Sequence, residues 1–76
     1  MTPSTADVHS TRLWRARRRH DHLDAIVAES AGGWTLQFLL NDRLIVSWPF
    51  PTRDDAAAEA DARLRDLQRV GWNTHW

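Results

Sequence analysis

The chain has 76 residues, no cysteine, no lysine and a formal net charge of zero from ten arginines and ten acids. A domain this short buries only about 60% of the surface its unfolded chain exposes, and without a disulfide or thiolate metal site its stability must come from packing, as expected in a reducing, cytoplasmic compartment. No segment approaches the roughly 20 apolar residues that span a bilayer, and the polar opening residues lack the apolar run of a secretory signal.

Met1 to Ser10 carries Thr, Ser, Pro and Asp with no hydrophobic period, so residues 1–10 are expected as a disordered N-terminal arm and 11–76 as a single small α+β domain. From Leu13 to His20 an imperfect alternation sets Trp14 and Ala16 against Arg15, Arg17 and Arg19, as on an edge strand. Leu23 to Glu29, with adjacent Ile26 and Val27 and then Ala31-Gly32-Gly33, suits a strand entering a turn. The clearest period of two is Trp34, Leu36, Phe38, Leu40. Asn41-Asp42 then offers turn chemistry, and Leu44, Val46, Trp48 and Phe50 repeat the alternation until Pro49 and Pro51 stop it.

A helix follows from about Thr52 to Val70. Thr52 and Asp55 have the spacing of a capping box, acids fill the first turns and arginines the last, and Ala57, Ala60, Leu64 and Leu67 make the expected apolar stripe. Gly71 stands where a left-handed C-terminal residue is favoured, with Trp72 placed to fold back on the last turn. The expected architecture is α+β, a small three-stranded antiparallel β-meander packed on one C-terminal helix (βββα). Leu13, Ala16, His20, Leu23 and Val27 also share one helical face, which leaves αββα as the alternative. In either case Trp34, Trp48, Leu64, Leu67 and Trp72 read as core.

Leu13-Trp14-Arg15, Gly33-Trp34, Gln37-Phe38-Leu39, Phe50-Pro51-Thr52-Arg53 and Gly71-Trp72 together resemble a group of short, uncharacterised bacterial proteins with an Arg-rich aromatic first strand, a Gly-Trp hairpin and a capped Ala-rich helix. That resemblance covers most of the chain from Leu13 onward and implies the βββα order without implying an activity. Asn41-Asp42 with Ser47-Trp48-Pro49 resembles in part the motif of MbtH-like accessory proteins. The tryptophan spacing is off by one and the downstream motifs are missing, which sets that family aside.

Two binding readings follow. One is a protein partner or a homodimer engaged through the open sheet face, where Leu39, Ile45 and Ile26 are expected to project, with Trp14 and Trp76 adding aromatic area. The alternative is nucleic acid, since Arg12, Arg15, Arg17, Arg18 and Arg19 fall within eight residues beside Trp14, a pattern suited to phosphate contact and base stacking. Against it stand the zero net charge and an acid-rich helix. His20, His22 and Asp24, with His9 or His75 in reach, have ligand chemistry, but neighbouring arginines oppose a cation and no metal is expected. Asp54-Asp55 is explained by capping and Asp21-His22 has no nucleophile to serve, so neither an enzyme nor a cofactor is expected.

Overall fold

The computed structural model describes residues 10–74. Turn chemistry sets the topology. Arg19-His20, Ala31-Gly32 and Asn41-Asp42 each connect neighbouring strands in two residues, and Asn41 and Asp42 both take positive φ (51° and 68°), as a turn matched to strand twist requires. The strands are β1 (Ser10–Arg18), β2 (Asp21–Ser30), β3 (Gly33–Leu40) and β4 (Arg43–Phe50), joined in one antiparallel sheet of order β1-β2-β3-β4. The helix α1 (Arg53–Arg69) follows.

The expected three-stranded meander is therefore corrected to four strands. The αββα alternative is not the one formed: the stretch it assigned to a first helix is β1, a turn and β2. All four strand segments carry a strand pattern in the sequence, which leaves open only whether the first two form a helix instead. A bulge between Arg12 and Trp14 leaves Leu13 outside the β1–β2 pairing, which is why the alternation of β1 is imperfect although the strand is continuous in space. β1 also begins at Ser10, a residue assigned to the arm.

One sheet face takes the helix. Ala16, Leu23, Ala25, Val27, Leu36 and Phe38 are buried there against Ala56 and Ala60, with Trp14, Trp34, Val46, Phe50, Leu67 and Trp72 packed around them. Fully burying Val27 or Leu36 contributes about 1.5–3 kcal/mol each. The helix meets the sheet on Ala56, where the sequence pointed to Ala57, and Leu64 stays half-buried. Two fully buried alanines one turn apart bring the helix backbone close to the strands.

Both helix ends form as their residues dictate. Thr52 Oγ1 accepts from the Asp55 amide at 3.1 Å. At the other end the Gly71 amide donates to the Gln68 carbonyl and the Trp72 amide to the Leu67 carbonyl, with Gly71 at φ +104°, which is a Schellman closure with Trp72 returned over Leu67. The chain then reaches β1, where the Arg17 and Asn73 backbones exchange hydrogen bonds of 2.8 and 3.1 Å. No helix among the described residues is long and apolar enough to cross a membrane.

Candidate functional site

Alternation turns Arg12, Arg15, Arg17, His22, Asp24 and Leu39 to the sheet face opposite the helix. At its centre Asp24 is only 4% exposed. Arg15 holds it in a bidentate pair, Nε to Oδ1 at 2.5 Å and Nη2 to Oδ2 at 2.8 Å, and Arg12 Nη1 lies 4.0 Å from Oδ1. The Arg15 hydrogen bonds hold the Asp24 carboxyl below the usual carboxylate range, against the opposing effect of burial, and the same bonds raise the Arg15 guanidinium.

A metal-like trio does assemble: His22, Asp24 and Asp42 place ligand atoms within 4.8 Å of one another, with His22 Nε2 3.4 Å from Asp42 Oδ1. It recruits Asp42 from the β3–β4 turn and does not include His20, while His9 and His75 lie outside the described residues. Both Asp24 oxygens are already occupied by the Arg15 guanidinium, so the positive charge of this cluster is supplied by the chain itself. Asp21 and His22 are held by one clamp rather than by each other. Asn41 Nδ2 donates to Asp21 Oδ1 and Asn41 Oδ1 accepts from the His22 amide, both at 3.0 Å.

The arginine run does not form one patch. Arg12 and Arg15 turn to Asp24, Arg17 Nε donates to the Arg19 carbonyl at 3.4 Å, Arg18 lies beside Gly71, and Arg19 sits in the turn at φ +57°. Trp14, the expected stacking platform, faces the helix instead. Its Nε1 donates to the Ala60 carbonyl at 3.1 Å and its ring lies 5.9 Å from Phe38.

The exposed apolar surface lies elsewhere. Leu44 (54%), Ile45 (52%), Trp48 (37%) and Val70 (57%) are the exposed large hydrophobics among the described residues, and three of them are on β4. β4 is an edge strand. Between it and the end of α1 runs a groove of about 390 Å³, lined by Leu23, Phe38, Ile45, Val46, Trp48, Leu67 and Val70, with Arg63 and Asp66 as its charged members. Trp48 stands edge-on to Phe38 with centroids 5.8 Å apart, and the Arg63 guanidinium lies over the Trp48 ring, 5.2 Å from its centroid.

Among the expected partner-binding residues, Leu39 is half-buried on the open face, Trp14 is packed under the helix, and Trp76 lies outside the described residues. Ile45 is exposed as expected but on the groove side. A second bulge pairs Leu39 with Leu44 and Phe38 with Val46, leaving Ile45 without a β3 partner and turned toward the groove. Leu44, Trp48 and Val70 were missed as surface residues. The available signal was Leu44-Ile45-Val46, three successive apolar residues that no single buried face of a last strand can absorb.

No protein family, no curated protein and no solved structure matches the chain.

Proposed function

We propose that the protein is a small, non-enzymatic protein-binding module that works through the apolar strip along β4 and the groove beside it. The observation that carries this reading is the meeting of Ile45, Trp48 and Val70, each more than a third exposed, around the groove between β4 and the end of α1. Contiguous exposed apolar surface of this kind marks interaction sites, and an arginine-flanked tryptophan beside a hydrophobic groove has the composition of a binding hot spot. A cytoplasmic setting fits a chain without cysteine.

The competing nucleic-acid reading draws less support. Its aromatic residue is packed against α1, two of its arginines face Asp24, and of the other three only Arg17 shares their face, Arg18 lying beside Gly71 and Arg19 in the turn, whereas phosphate tracking needs a continuous basic stripe.

Capture from the native host tests the proposal with three baits: wild type, the Ile45→Asp/Val70→Asp variant, and Arg17→Ala/Arg18→Ala. Proteins bound by wild type are lost with the groove variant and kept with the arginine variant. The reverse pattern contradicts the proposal.

A further inference from the structure

Pro49 shows which way the edge of β4 points. Proline has no amide hydrogen, so its pairing with Thr35 belongs to the non-hydrogen-bonded class of an antiparallel ladder. Two residues earlier, the Ser47 pairing with Gln37 is of the same class, while Val46, Trp48 and Phe50 make the bonds to β3. The amide and carbonyl of Ser47 therefore point away from the sheet, and so does the carbonyl of Pro49. Both residues are exposed.

We infer that a second copy of this chain binds here, its β4 paired antiparallel with the first about a two-fold axis at Ser47, an inference that rests on the reading of β4 as the binding strip. Ser47 offers one outward donor and one outward acceptor, so two copies satisfy each other with a reciprocal pair of hydrogen bonds and need no foreign strand. In that register Trp48 of each copy lies beside Val46 of the other. Both side chains line the helix side, so the new contact extends the apolar lining of the groove across the axis.

Charge agrees with self-pairing. Arg43 is the one charged residue of β4, and an antiparallel register about Ser47 separates the two copies of it by about 27 Å at about 3.4 Å per residue. The chain's zero net charge adds no overall repulsion. The opposite edge is unsuited to the same role, because β1 is closed at Arg17 by Asn73 and carries the arginines. Pairing thus ends at two copies, giving a closed dimer and not a growing sheet.

Sedimentation velocity over a concentration series tests the inference. Wild type is expected to reach twice the 8.8 kDa chain mass, Ser47→Ala to match it, and Ser47→Pro, which deletes the outward donor without touching a β3 bond, to halve it. Because a folding defect would mimic that loss, Ser47→Cys supplies a second measure in a chain with no other thiol. It is expected to form a covalent dimer under mild oxidation faster than Glu29→Cys. A wild type that stays monomeric throughout overturns the second copy as partner and leaves the groove open to another protein. A dimer that persists in Ser47→Pro and cross-links no faster at Ser47 than at Glu29 has its interface elsewhere, and overturns the inference while the proposed function stands or falls on the capture experiment.

Discussion

The indole Nε1 of Trp14 donates a 3.1 Å hydrogen bond to the carbonyl of Ala60, a residue 46 positions later in the middle of α1. This bond fixes the first strand to the last element at a point where Ala56 and Ala60 interpose only methyl groups. Trp14→Phe keeps most of the ring and loses the bond, and is expected to cost about 1 kcal/mol. Trp14→Ala removes the packing on Phe38 as well and is expected to cost about 3 kcal/mol. Urea denaturation measures both, and equal stability of Trp14→Phe and wild type would remove the bond from the account.

The Asp24 and Arg15 pair makes stability sensitive to acid. Arg15 depresses the folded-state value of Asp24, so the folded state favours the carboxylate, and its contribution is complete above the unfolded value of about 3.9. It is lost as pH falls through the depressed folded value. Asp24→Asn is expected to flatten the decline of the denaturation midpoint below about pH 4, whereas a slope identical to wild type would show that other carboxylates dominate it. Replacing both partners with leucine is expected to destabilise less than Asp24→Leu alone, since the single change strands Arg15 beside an apolar residue.

Gly71 closes the helix at φ +104°, and a Cβ there would meet nothing nearer than Arg18 Nε at 3.6 Å. The cost of Gly71→Ala is thus conformational, expected at about 1–2 kcal/mol. Its signature is a loosened Trp72, read as reduced near-ultraviolet circular dichroism. Gly33→Ala fails for a different reason, because its Cβ would lie 2.6 Å from the Phe50 carbonyl oxygen and force β3 and β4 apart at that end. It is expected to be the more destabilising of the two.

The arginines that do not face Asp24 carry an expectation of their own. Replacing Arg17, Arg18 and Arg19 with alanine is expected to leave affinity for mixed-sequence DNA and RNA unchanged in low-salt anisotropy titrations. A loss of salt-dependent binding would restore the nucleic-acid reading.

The parts legible in the sequence were those governed by local rules. Asn41-Asp42, the Thr52 cap and the Gly71-Trp72 closure each form as their residue types dictate, and Trp34, Leu36, Phe38 and Leu40 do share the helix-facing side. What escaped was governed by bulges and by strand order. The bulge at Leu13 made the alternation of the first strand imperfect, and the one at Ile45 changed the face of a candidate binding residue. Trp48 reads as core from its alternation, yet it stands on an edge strand with no neighbour beyond it, and so remains 37% exposed. Asp24 gave no sign of burial, because its partner Arg15 lies across a strand pair whose register is set only in three dimensions.

The amide hydrogen of Ser47 reports on the central claim most directly. It points outward from β4 in a single chain and is bonded when a second β4 is present, so its exchange rate is expected to fall as protein concentration rises, while the already bonded Trp48 amide changes little. Exchange at Ser47 that stays fast at concentrations where the protein is a dimer would contradict the account.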